Sequence, residues 1–236
     1  MKMIVQKAAE RGGADHGWLK AKHYFSFGSY HNPEKIHFGL LRVLNDDYIA
    51  GGGAFPTHPH DNMEIVTIPF SGALKHKDSS GGAGIIHAGD VQIMSAGTGV
   101  QHSEANESKT EPVTLFQVWV FPKERNIKPR YDQKHFSENG RLNNWQVIVS
   151  PREEDDALWI NQDAVFALTK LSSGTTLIYE NAFKGNGVYL VVIDGSVEIN
   201  NEIFNTRDAA GFSGTDNISI KALANCELLA IEVPMN

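Results

Sequence analysis

The sequence predicts an all-β chain folded as two β-barrels in tandem, and three observations carry the prediction. Runs of β-branched and aromatic residues, a handful of positions long, recur between Gly, Pro, Asn and Asp. Amphipathic helical periodicity sustained over several turns is almost missing. A pattern in the first half returns, faintly, in the second. Many short strands at such spacing favour a sandwich or a barrel.

In chain order, the clearest strands are Glu64-Ile65-Val66-Thr67-Ile68, Val91-Gln92-Ile93-Met94, Thr114 to Val120 and Gln146-Val147-Ile148-Val149. Glu153 to Val165 is the one segment with helical character and is read as a short helix. The repeat sets Ile65 to Leu74 beside Tyr189 to Val197: a buried strand, a glycine turn, then an alternating strand. Ser71-Gly72 and Asp194-Gly195 make the two turns, where glycine tolerates positive φ. Gly89-Asp90-Val91 has its counterpart in Arg207-Asp208-Ala209. The division falls between Lys134 and Asn144, giving domains of residues 1–136 and 137–236.

Length and composition allow one large domain or two of ordinary size. The 236 residues are 41% hydrophobic, enough to build real cores. Acidic residues number 28 against 21 basic ones, a net charge of −7 that disfavours a nucleic-acid backbone or an anionic membrane as partner. No apolar stretch approaches the ~20 residues that a membrane-spanning helix needs, and Met1 to Lys7 holds too short an apolar run for a signal peptide. A single cysteine, Cys226, excludes an internal disulfide and a Cys-based zinc cluster, and it reads as an inert buried thiol. The expected location is the cytoplasm.

Two short motifs carry chemistry. His58-Pro59-His60 sets two imidazoles at i and i+2, on one face of an extended chain, and His102-Ser103-Glu104 does the same with an imidazole and a carboxylate. An isolated His-x-His is more often a pair of ordinary hydrogen-bonded histidines. Gly51-Gly52-Gly53 and Gly97-Thr98-Gly99, just ahead of the two motifs, let the backbone turn sharply or approach a site closely. If the strands bearing the motifs face one another across a barrel, three nitrogens and one oxygen converge. That set suits iron, copper, nickel or zinc. His37, His76 and His87 read as turn or strand-face residues outside the site, and Trp119 and Phe121 as core aromatics. For His23 and Phe25 core packing is preferred over the alternative, shaping the approach to the first barrel, and Lys128, Arg130 and Lys134 are assigned to a solvated loop.

Longer stretches bear a family likeness. Asp15-His16-Gly17-Trp18, His23-Tyr24-Phe25-Ser26-Phe27-Gly28, Phe38 to Asp47 and Thr57-His58-Pro59-His60 resemble the pirin family in sequence and order. So do Met63 to Thr67, His76-Lys77-Asp78-Ser79, Gly89 to Gln92 and Met94 to Glu104. The resemblance covers nearly all of residues 15 to 122 and is looser beyond about residue 140. It implies a bicupin, two cupin barrels in tandem, with iron in the first. It makes His58, His60, His102 and Glu104 the ligands of one divalent transition-metal ion; iron(II) is the first expectation, and copper, nickel, zinc and manganese also fit. Ordinary cupins place a ligand Glu near Glu64, which strand parity turns toward the same interior as His60. The pirin pattern takes its carboxylate from the second motif, leaving Glu64 to orient a ligand imidazole, unless a bulge turns it away.

Carried into the second half, the repeat sets Asn181 and Phe183 where His58 and His60 stand, and Ile220 and Ala222 where His102 and Glu104 stand. None of these can build that site, so the second barrel is expected to hold no metal and to pack against the first.

The activity implied by the resemblance is quercetin 2,3-dioxygenation: a flavonol-like aromatic substrate and dioxygen, with Glu104 as catalytic base. The alternative from another class is an iron-binding, redox-responsive regulator that acts through a protein partner without turnover. A zinc hydrolase using bound water is a third reading, since a ligand set alone does not select chemistry.

Overall fold

Twenty-two strands and two single-turn 3-10 segments, Ala8–Glu10 and Glu138–Gly140, form the regular structure of the computed structural model, which describes residues 1–236. The strands sort into four sheets, two of seven strands and two of four. Each half of the chain contributes one of each, so the molecule is two barrels of the same plan. The expected strands form at Glu64–Ser71, Asp90–Ser95, Val113–Val120 and Gln146–Ser150. The two expected hairpin turns place Gly72 at φ 69° and Gly195 at φ 87°, where a side chain would be strained.

The largest core lies between the barrels. Alternation along Val113–Val120 sends Phe116 and Val118 outward to meet the other large sheet, while Leu115, Gln117 and Trp119 point into the first barrel. The partner strand Cys226–Val233 does the same: Leu229, Ile231 and Val233 join the shared core, and Leu228 and Ala230 face the second barrel's interior. The two large sheets thus press together over a cluster of 27 buried residues, centred on Phe116, Phe166, Tyr24 and Tyr189. Burial on this scale is the dominant stabilising contribution.

One strand crosses over. Lys2–Gln6 pairs antiparallel with Ala209–Ser213 at the edge of the second barrel's large sheet, and its Met3 and Val5 pack on that barrel's core. The matching edge of the first barrel is filled by Arg130–His135 against Asp90–Ser95.

The short helix expected over Glu153 to Val165 does not form. Those residues make turns and a two-residue strand, Leu158–Trp159, that pairs parallel with Val149 and Ser150. Four successive carboxylates, Glu153 to Asp156, repel one another in a helix, whereas Leu158 gains burial in the shared core. Nor do Arg130 and Lys134 lie in a free loop: Arg130 donates to the Trp159 carbonyl and lies over its ring, and Lys134 pairs with Asp156. Cys226 is buried, with its thiol pushed up by that burial. No helix is long and apolar enough to cross a membrane.

Candidate metal centre

His58 and His60 sit on Ala54–His60, and His102 and Glu104 on Val100–Asn106. These strands do not face one another across the barrel, as the sequence suggested. They are hydrogen-bonded neighbours in the four-stranded sheet, with His102 directly opposite His58. Cross-strand neighbours hold their side chains close enough to share one ion. On the other side Val100–Asn106 pairs with Ala73–Asp78, which sets His76 opposite Glu104 and Asp78 opposite His102.

Three imidazole nitrogens converge. His102 Nε2 lies 2.9 Å from His60 Nε2 and 2.9 Å from His58 Nε2. His58 Nδ1 lies 2.9 Å from the Pro56 carbonyl oxygen, which can only accept, so the neutral His58 ring has its proton there and a lone pair on Nε2. Burial first, then the neighbouring His58 charge, hold His60 down to about 4 and His102 down to about 3. Both rings are therefore neutral at pH 7, as metal ligation requires. Nitrogens bound at ~2.0–2.1 Å and at right angles about a metal lie about 2.9 Å apart. The residues present fit a divalent transition-metal ion.

Glu104 falls in a second group. Its carboxylate, His102 and His76 bring their ligand atoms within 4.8 Å of one another, as do His58, His60 and His102. The four expected residues are thus joined through His102, and His76 is added. Burial raises the Glu104 pKa, against the opposing effect of the Gln117 amide, which donates to both carboxylate oxygens at 3.1 and 3.4 Å. Gln117 cannot flip freely, because its own oxygen accepts from the Trp119 indole N–H at 3.3 Å.

A cavity of about 560 Å³ opens on this cluster, within the range that holds drug-sized ligands. Phe27, Phe55, Leu19 and Trp119 supply apolar wall, with Phe27 and Trp119 edge-to-face at 5.4 Å. The two readings divide between the two residues: His23 lines this cavity, 2.8 Å from Asn45 Oδ1, while Phe25 packs in the shared core. Asp47 is pushed up to about 8 by burial and then by the nearby Glu104 charge, and its Oδ1 has no hydrogen-bond partner.

Several assignments change. Trp119 is more than a core aromatic: it packs on the Ile65, Met94, Ala96 and Val100 cluster, and it also stands edge-on to His60 at 4.9 Å and walls the cavity. His76 is not outside the site; its side chain is wholly buried against His102, whereas His37 and His87 are exposed. The alternation Leu74, His76, Asp78 on one face and Lys75, Lys77 on the other was the available signal. Glu64 does not reach the imidazoles. The Asp61–Met63 turn, with Asn62 at φ 44°, breaks the strand parity. Glu64 faces the inter-barrel core instead, accepting from Ser95 Oγ at 2.8 Å and Asn161 N at 3.2 Å.

In the second barrel the strand pairings put Tyr179 and Asn181 at the places of His58 and His60, and Ile218 and Ile220 at those of His102 and Glu104. Both pairs differ by two residues from the expected ones. The connection after Asn181 is two residues longer than its counterpart, and the one before Ile218 two residues shorter. Phe183 lies in the longer connection and Ala222 at the place of Asn106.

Two barrels of one plan, with a histidine cluster in the first alone, define a bicupin. Comparison with known proteins gives the family. Residues 4–120 match the pirin family profile, and residues 147–233 match the quercetinase C-terminal cupin domain. A pirin-like protein of Caulobacter vibrioides is 43% identical over 232 residues, covering 98% of this chain and 99% of its own. The quercetin 2,3-dioxygenase of Escherichia coli K12 is 40% identical over 232 residues, with the same coverage of each chain. The crystal structure of a bacterial pirin from Escherichia coli in complex with nickel(II) superposes with a TM-score of 0.93 at 39% identity, covering 99% of both chains. The chain belongs to the pirin family.

Proposed function

We propose that this chain is a metal-dependent dioxygenase that opens a flavonol such as quercetin with dioxygen. His58, His60, His102 and Glu104 hold one divalent ion in this reading, iron(II) first among the candidates. The observation that carries it is the meeting of three Nε2 atoms beside an apolar-walled cavity of flavonol size. The name of the Escherichia coli relative and the nickel(II) in the bacterial pirin crystal support the same reading. The catalytic unit is residues 1–136 and the supporting barrel residues 137–236, with Lys2–Gln6 lent to the latter.

The chemistry a bound ion supplies here is Lewis-acid stabilisation of a phenolate and redox contact with dioxygen. The chain does the rest. Phe27, Phe55 and Trp119 sandwich flat aromatic rings and exclude water, while Asn45 and His23 offer polar partners to ring hydroxyls. Glu104, buried and oriented by Gln117, accepts the proton of the flavonol 3-hydroxyl as general base.

Aerobic incubation of the iron-, nickel- or copper-loaded protein with quercetin tests this. The expected result is metal-dependent bleaching with release of carbon monoxide. Absence of turnover with every metal, together with redox-dependent capture of a protein partner, replaces the enzyme by a regulator. At saturating metal, Glu104→Gln is expected to lower kcat by about 100-fold or more.

A further inference from the structure

We propose that His76 and Asp78 are positioning residues that fix the tautomer of His102, turning the lone pair of its Nε2 toward the metal position before any ion arrives. The proposal rests on the reading of His102 as a ligand.

From the surface inward, Asp78 Oδ1 accepts from Ser80 N at 2.8 Å, Ser80 Oγ at 2.7 Å and Gly82 N at 2.9 Å. Three donors on one oxygen anchor the carboxylate and leave Oδ2 for a single partner, His76 Nε2, at 2.9 Å. A carboxylate oxygen accepts, so His76 Nε2 is the nitrogen that carries the proton, and the lone pair of the imidazole is on Nδ1. That lone pair faces His102 Nδ1 at 3.4 Å, the longest link of the chain. Two lone pairs repel, so His102 Nδ1 offers its N–H, and the His102 lone pair is left on Nε2. Nε2 is the atom that faces His58 and His60.

The His76 ring has no freedom to break this sequence. Its side chain is wholly buried and stacks on Tyr131, with ring centroids 4.8 Å apart and planes at 25°. Tyr131 is itself tied down by its hydroxyl to Gln133. His58 reaches the same tautomer by another device, its hydrogen bond to the Pro56 carbonyl. Two imidazoles are thus set separately, one by backbone and one by a buried Asp–His pair. Partners of this kind orient a ligand ring and raise its basicity, and their removal typically costs 10–100-fold in metal affinity.

The experiment uses the full chain and Ni(II) alone, without flavonol. Nitrogen-detected NMR of metal-free wild-type protein is expected to show His102 protonated on Nδ1. Chelator competition is expected to show His76→Phe, which keeps the stacked ring but removes both nitrogens, binding Ni(II) about 10–100-fold more weakly. His58→Ala is expected to lose stoichiometric binding. Wild-type affinity in His76→Phe beside lost binding in His58→Ala overturns the proposal and leaves the ligand reading standing. Wild-type affinity in His58→Ala overturns the ligand reading itself. Protonation of His102 on Nε2 in the metal-free wild type overturns the proposal whether or not the variant folds, and so does binding of two ions with His76 among the ligands.

Discussion

The two barrels share a strand plan and part company in what fills them. Inside the second, seventeen buried residues form one continuous apolar core, with Phe204, Phe212, Ile218 and Ile220 at its centre. Inside the first, the apolar residues split into clusters of seven and four. Between them lie the buried polar side chains of His76, His102, Glu104, Asn45 and Asp47. The ends differ as sharply. Where Trp119 walls a cavity, the second barrel has Glu232, fully buried. Glu232 accepts from Tyr179 Oη, Ala182 N, Phe183 N and Asn186 Nδ2, at 2.8 to 3.1 Å. Four donors from the far strand and the longer connection seal that end. The difference teaches how one scaffold divides labour: a filled, stapled barrel supplies stability, and its partner can then tolerate an expensive polar interior.

The widest gap between the barrels should be in metal retention. His102→Ala is expected to reduce bound metal from about one equivalent to background in elemental analysis, whereas Ile218→Ala at the matching place leaves it unchanged. Comparable loading of His102→Ala breaks the comparison at its root. Next comes the staple. Glu232→Ala strands four buried donors and is expected to cost on the order of 4 kcal/mol in urea unfolding, without direct loss of metal. A loss under 1 kcal/mol would mean that the second barrel is not held shut by this carboxylate.

The smallest effect concerns the seam. Glu64 stands where the second barrel has Gly187, and burial pushes its carboxyl up to about 7, outweighing the hydrogen bonds from Ser95 and Asn161. A raised carboxyl keeps its proton in the folded chain after the unfolded chain has lost it. The native state therefore binds more protons between the unfolded pKa near 4.5 and about 7, and stability falls as pH rises through that window. Glu64→Gln is expected to flatten this slope and to gain about 3 kcal/mol at pH 8 relative to pH 4.5. Parallel urea midpoints for both proteins at the two pH values sharpen the point, and an unchanged slope would sink it.

Much of this was legible in the sequence because strands have a period of two. His58 and His60, or His102 and Glu104, had to share a face once their segments were extended, and the two glycine turns announced the repeat. What stayed hidden was set by connections. Two residues gained after Asn181 and two lost before Ile218 displaced the second barrel's equivalents, and no local pattern records such lengths. The Asp61–Met63 turn likewise carried Glu64 out of the histidine cluster and into the seam. His76 was missed for a different reason: a lone His-x-Asp looks ordinary until a neighbouring strand brings His102 beside it. The supposed helix over Glu153 to Val165 failed because burial of Leu158 outweighed a weak local preference.

The exchange of Lys2–Gln6 across the seam has a consequence for anyone who would take the protein apart. A fragment starting at residue 137 would leave Ala209–Ser213 with a bare row of backbone donors and acceptors along one flank. Such a naked border invites association with whatever extended chain is nearby, other copies of itself included. Tethering the leading segment back onto that fragment, by permutation rather than truncation, is the way to keep it in solution.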